Sequence, residues 1–191
     1  QYVRTTKKTK ASATTKKKPR KLKYLEHPRS SAGEFTNREI GWLRFNQRVL
    51  HEAQDSKNPL LERLRFLAIC GSNLDEFFMK RVGGLKRQVA YGISSKSSDG
   101  QTPEQQLVAI RSCVGPMLKD QANVYEDLKK KLSTENVVIL KWKELTAKEK
   151  DNVKKFYIKN VFSVLTPLSV DPGHPFPFIS NLSTSLGVTL K

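Results

Sequence analysis

Two cysteines, Cys70 and Cys113, are all the thiol chemistry that 191 residues contain, and neither has a CxxC partner or a histidine at ligand spacing. Neither a disulfide framework nor a Cys/His zinc site is indicated. Each cysteine sits inside an apolar helical pattern and reads as a buried, reduced thiol of an intracellular protein. Long apolar runs are missing too: none approaches the roughly 20 residues that a bilayer-spanning helix needs. Because the first residue is Gln1, a signal peptide ahead of it is left open. The chain has no glycine-rich phosphate loop ending in Lys-Ser or Lys-Thr, no GxGxxG and no HExxH. HEAQD at His51 carries Asp55 where a zinc protease needs its second histidine, and His27 and His174 lie far from it. No self-sufficient active site of these kinds is encoded.

Acid is the other shortage. Asp and Glu number 18 against 35 Lys and Arg, a formal charge of +17. The excess is uneven: the first 31 residues hold 11 Lys or Arg and the single acid Glu26, so +10 of it lies in a leader. Residues 1–34, with KKTK at Lys7 to Lys10 and KKKPRKLK at Lys16 to Lys23, are predicted to be disordered, because they offer too little apolar surface to offset the entropy of ordering. The leader reads either as a polyanion-binding arm or nuclear-import signal, or as a solvated segment with no dedicated partner. With the helices that follow, the charge also admits a basic helical nucleic-acid or polyanion-binding module.

What is present is helical periodicity. Thr36 and Glu39 have capping-box spacing, and Trp42, Phe45, Val49 and Ala53 follow on one face, predicting a first helix to about Asp55. Asn58 is expected to cap a second helix with Pro59 at its first position and Leu60, Leu64, Leu67 and Ala68 inward, stopping near Gly71. Asn73 and Glu76 repeat the cap spacing, so a third helix is predicted from there to before Gly92, with Leu74, Phe77, Phe78, Val82, Leu85 and Val89 at helical intervals. After a loop at 93–101, Thr102 and Pro103 open a fourth helix to about Leu132, which Pro116 should kink or divide. NVVILKW from Asn136 reads as extended. Thr146 and Glu149 cap a fifth helix carrying Val153, Phe156, Tyr157, Val161 and Val164. From Thr166 the texture changes: four prolines crowd between Pro167 and Pro177, and SLGVTLK alternates like a strand. The fold expected is mainly α, a bundle of about five helices followed by the start of an α+β domain, cut off at Lys191.

The polar turn Gly71-Ser72-Asn73 between two apolar helices is the best candidate site. A helix N-terminus offers free N–H groups to an anion, and an Asn amide, with a donor and an acceptor in one plane, suits the edge of adenine. The alternative is that Asn73 only caps the third helix.

NRE followed by WLRFN at Trp42 to Asn46, NPLLERLRFLAI at Asn58 to Ile69, and SNLDEFFMKRV at Ser72 to Val82 together resemble the opening of the long-form polyphosphate kinases. The resemblance runs from about Glu34 to Lys191 and includes VLTPLSVDPGHPFPFISNLS from Val164. Gly41 stands where a Ser is common, and Cys70-Gly71 loosens the expected turn. The resemblance implies a helical N-terminal domain at 35–165 and the beginning of a dimer-forming domain at 166–191, and it says nothing about the basic leader at 1–34. It implies ATP and polyphosphate as substrates, magnesium with ligands outside this chain, a homo-oligomer in the full-length enzyme, and a phosphohistidine beyond Lys191, which neither His51 nor His174 matches. It leaves the compartment open, membrane association included. The resemblance also implies that Asn73 is the position that contacts ATP. Asp75 and Glu76 would repel triphosphate and are assigned to capping and the helix dipole, and Trp42 and Phe45 to core packing. The fragment alone is expected to be inactive.

Overall fold

The computed structural model describes residues 2–5 and 35–189. Its elements are β1 (Tyr2–Thr5), α1 (Arg38–Gln54), α2 (Leu60–Phe77), a π-helical turn (Phe78–Val82), α3 (Gly83–Ala90), α4 (Pro103–Thr134), β2 (Val137–Leu140) and α5 (Ala147–Asn160). They fall into two units, one within Thr6–Val137 and one comprising Gln1–Thr5 with Val138–Lys191.

The first unit is a bundle of α1, the α2–α3 run and α4. Asn37, rather than the expected Thr36, caps α1, its Oδ1 accepting from the N–H groups of Glu39 at 2.9 Å and Ile40 at 3.1 Å. Ile40, Leu43, Leu50 and Ala53 then bury one stripe, with Asn46 and Gln47 inside it. Leu67, Cys70, Leu74, Phe77, Val82 and Leu85 supply the facing stripe, and Ile110, Val114, Met117, Val124 and Leu128 close the core from α4.

The predicted stop near Gly71 does not occur: α2 runs unbroken through Gly71, Ser72 and Asn73 to Phe77. A glycine costs a helix only about 1 kcal/mol relative to alanine, and four apolar side chains buried at three- and four-residue spacing across it outweigh that. Gly71 faces α4, where an added Cβ would meet only the end of the Gln121 side chain, Nε2 at 3.3 Å. The chain stays helical to Ala90, with one wide turn at Phe78–Val82. That turn inserts a residue into the register. Val82 therefore follows Phe77 into the core, Phe78 is left 42% exposed, and Arg81 is free to reach Glu39 of α1 at 3.4 Å.

Pro59 precedes α2 with no side-chain cap, and Asn58 instead donates to the Glu52 carbonyl at 2.9 Å. Thr102 and Gln105 form the capping box of α4 with Pro103 in its first turn, as expected. Pro116 does not divide α4, whose 32 residues form one helix. Buried Val114 and Met117 flank the proline and hold the helix against the core despite the lost N–H. Asp99, in the loop before α4, is itself buried and accepts from Asn37 Nδ2 at 3.2 Å, tying that loop to the start of α1.

In the second unit β1 pairs with β2. The leader was expected to be unstructured; four of its residues form a strand, and residues 6–34, with His27 and the Lys-rich runs, lie outside the described residues. The Thr146–Glu149 capping box of α5 is present. Its apolar positions are not a core, however: none of its residues is buried, and Phe156 is 62% exposed. Within this unit the face meets only the turn that follows, Tyr157 lying 6.2 Å from the Phe162 ring, centroid to centroid. No strand forms at 185–189, where Leu186 and Val188 are exposed. Alternation alone does not make a strand without a neighbour to take its backbone hydrogen bonds.

Candidate functional site

Asn73 lies in the last third of α2, half-buried on the side toward α1. It is not a helix cap, because α2 continues past it, so neither the free N–H groups nor the terminal field proposed for an anion exist there. What the fold gives Asn73 instead is a side-chain partner. Its Nδ2 donates to Oδ1 of Asn46 at 2.9 Å.

Asn46 is fully buried in α1. Its Nδ2 donates to the backbone carbonyl of Cys70 at 3.1 Å and lies 3.4 Å from the Cys70 sulfur. A carbonyl only accepts, so this bond fixes which end of the Asn46 amide faces α2, and its oxygen must take the proton that Asn73 offers. The Asn73 amide is thus held with its nitrogen toward α1. No group among the described residues donates to Asn73 Oδ1, leaving that oxygen and one N–H for a ligand. Burial pushes the Cys70 thiol up to about 11, opposed by the Asn46 hydrogen bond, so it stays protonated at neutral pH. Burial also raises Cys113.

Neighbouring expectations divide. Trp42 stacks on Phe77 with centroids 4.8 Å apart and planes at 13°, a core contact as expected. Phe45 is not core: it is 47% exposed, with the Arg48 guanidinium 5.8 Å from its ring centroid. A three-residue step from Trp42 takes it past the edge of the buried stripe. Asp75 and Glu76 do not cap anything; both are exposed in mid-helix, and Glu76 pairs with Lys80 one turn on. The Lys80 hydrogen bond and charge hold the Glu76 carboxyl below its usual range. Ile69, exposed and four residues before Asn73, shares its face and gives an apolar surface beside the amide.

His51 is half-buried in the last turn of α1, and His174 is exposed, its Nδ1 2.9 Å from both Asp171 oxygens. The His174 hydrogen bond, then the Gly173 N–H, hold Asp171 below its ordinary value. Among the described residues no group of three or more His, Cys, Asp or Glu side chains could hold a metal ion, and no helix is long and apolar enough to cross a membrane. A groove of about 480 Å³ lies between α2 and α4, lined by Leu64, Leu67, Gly71, Leu118 and Tyr125 among others. Two residues along a helix turn it by about 200°, so Gly71 faces this groove and Asn73 faces away from it.

Asn46 carried a signal that the sequence reading passed over. It and Gln47 are amides placed where the stripe from Leu43 to Leu50 calls for apolar side chains. A buried amide at such a position needs a partner, and its partner is Asn73.

The first unit is thus a helical domain that holds one anchored amide, Asn73, on the face of α2 toward α1. Residues 35–140 match the family described as Polyphosphate kinase N-terminal domain, and residues 148–191 match the Polyphosphate kinase middle domain. The chain is 51% identical over 158 residues to a polyphosphate kinase of Synechocystis sp., covering 82% of this chain and 22% of that protein. It is 47% identical to one of Thermosynechococcus vestitus, with 82% and 22% covered, and 48% identical to one of Mycobacterium tuberculosis, with 82% and 21% covered. No solved structure matches the chain. The chain belongs to the polyphosphate kinase family, and it spans about a fifth of the length of the curated relatives it matches. The two family matches leave residues 141–147 between them.

Proposed function

We propose that this chain is the N-terminal part of an enzyme that transfers the terminal phosphoryl group of ATP to polyphosphate, and that Asn73 contacts the adenine. The observation that carries the reading is the family match together with an Asn73 amide whose nitrogen is anchored and whose oxygen is unengaged. An amide oxygen accepts from the exocyclic amino group of adenine while an amide N–H donates to a ring nitrogen. Ile69 would lie against the base. Asp75 and Glu76 stay in solvent, Glu76 neutralised by Lys80, so they do not oppose the phosphates.

The chemistry belongs to groups outside this chain. A histidine nitrogen attacks the γ-phosphorus, the bond to the β–γ bridging oxygen breaks and ADP leaves; the terminal oxygen of polyphosphate then takes the phosphoryl group and frees the histidine. Magnesium, when bound, neutralises charge on the phosphates, and its ligands also lie outside this chain. The domain's contribution is to hold the base, which fixes where the γ-phosphate sits. The enzyme is a homo-oligomer in this reading, and the leader, with +10 in 31 residues, is an accessory arm for polyanions.

The test is incubation of the intact protein with γ-labelled ATP. The reading expects acid-labile, alkali-stable label on the protein and chase of that label into polyphosphate, and no polyphosphate from the 191-residue chain by itself. Absence of labelled polyphosphate from the intact protein, or its synthesis by this chain alone, would overturn it.

A further inference from the structure

We infer that Asn46 is a positioning residue that sets the base preference of the nucleotide site by fixing which way the Asn73 amide faces; this rests on the reading of Asn73 given above. An unanchored Asn side chain can rotate by half a turn and exchange donor for acceptor, so it accepts a hydrogen bond from adenine or donates one to guanine with equal ease. Asn73 has no such freedom. Asn46 presents only an oxygen to it, because the Asn46 nitrogen is committed to the Cys70 carbonyl at 3.1 Å. The bond of 2.9 Å from Asn73 Nδ2 to that oxygen turns the Asn73 oxygen away from α1.

The fold shows that this arrangement is not incidental packing. Asn46 is fully buried between Leu43 and Leu50, where an apolar side chain would stabilise the helix seam at no cost in unsatisfied polar atoms. Both ends of its amide are satisfied, one by backbone and one by Asn73, so the orientation passes from the rigid α2 ladder through Asn46 to Asn73. An outward amide oxygen matches the amino group on C6 of adenine and opposes the C6 oxygen of guanine. Asn46 touches no ligand itself.

A double-substitution cycle in the intact enzyme tests this, with kcat/KM for ATP and for GTP as the readout. Asn46→Ala should lower the ATP-over-GTP preference roughly tenfold while Asn73 is present and leave it unchanged in the Asn73→Ala background. An equal change in both backgrounds, or none in either, would show that Asn46 does not act through Asn73 and would overturn the inference. If Asn73→Ala itself leaves the preference and the KM for ATP unaltered, the reading of Asn73 fails, and the inference with it. Should Asn46→Ala not fold, Asn46→Leu fills the site with an apolar side chain of similar size. A further check needs no substitution: of the two side-chain amide protons of Asn73, nuclear magnetic resonance should find one slow to exchange with solvent, and equal, fast exchange of both would contradict the arrangement.

Discussion

The buried guanidinium of Arg63, near the start of α2, donates from Nε to the Ala53 carbonyl at 2.9 Å and from Nη2 to the Gln54 carbonyl at 3.4 Å. These are the carbonyls that the end of α1 leaves without helical partners, so an arginine of the next helix completes the first. Asp127 of α4, 3.7 Å from Nη2, balances the charge and draws α4 to the same point. Arg63→Ala should therefore destabilise the chain by about 2 to 3 kcal/mol, read as a lower urea midpoint. Arg63→Lys should recover less than half, because an ammonium cannot bridge two carbonyls and a carboxylate with a planar fork. A loss below about 0.5 kcal/mol for Arg63→Ala would mean that this junction is held by apolar packing alone.

Gly71 distinguishes a continuous helix from the turn that its sequence suggests. In a turn needing a left-handed backbone, alanine would destabilise. In α2 the added Cβ meets only the end of the flexible Gln121 side chain, so Gly71→Ala should leave stability unchanged or raise it by up to about 1 kcal/mol. Gly71→Pro should lower it by about 3 kcal/mol or more, since proline removes an N–H and clashes with the preceding turn of a continuous helix. Thermal melts of the two variants check this.

That difference also shows what was legible. The caps of α4 and α5 were readable because Thr102 with Gln105 and Thr146 with Glu149 signal locally. The continuity of α2 and of α4 past Pro116 was not, because burial from other helices overrode the local breakers. Asn73 was picked out for the wrong structural reason: cap spacing pointed to it, whereas its orientation comes from Asn46, 27 residues earlier in the chain. A side-chain pair between helices leaves no mark in local periodicity beyond an amide in an apolar stripe.

Cys70 gives a pH signature. Its folded value, about 11, lies above the ordinary 9.0, so the folded chain binds this proton more tightly than the unfolded one. The stability it contributes is intact below pH 9 and lost as pH rises from there through about 11, up to roughly 2 to 3 kcal/mol. Cys70→Ala should be less stable at pH 7 but show a smaller decline between pH 8.5 and 11 than the unmodified chain. Equal declines would show that the thiol is not protected.

Asn37 joins the N-cap of α1 to buried Asp99 and Gln106, donating to them at 3.2 Å and 3.3 Å. Asn37→Ala should cost about 2 kcal/mol, through loss of the cap and of the carboxylate's donor, and should raise hydrogen exchange in residues 93–101. Asn37→Ser should restore the cap but not the protection of that loop.

The most direct measurement is the ATP dependence of polyphosphate synthesis by the intact enzyme carrying Asn73→Ala, beside its melting curve. Loss of the bond to Asn46 should lower stability modestly, by about 1 kcal/mol, whatever Asn73 does for the nucleotide. If the amide holds adenine in both ground and transition states, the KM for ATP rises roughly tenfold while kcat at saturating ATP is little changed. An unchanged KM, with activity falling only in proportion to the folded fraction, would contradict the account and leave Asn73 as an interhelical contact.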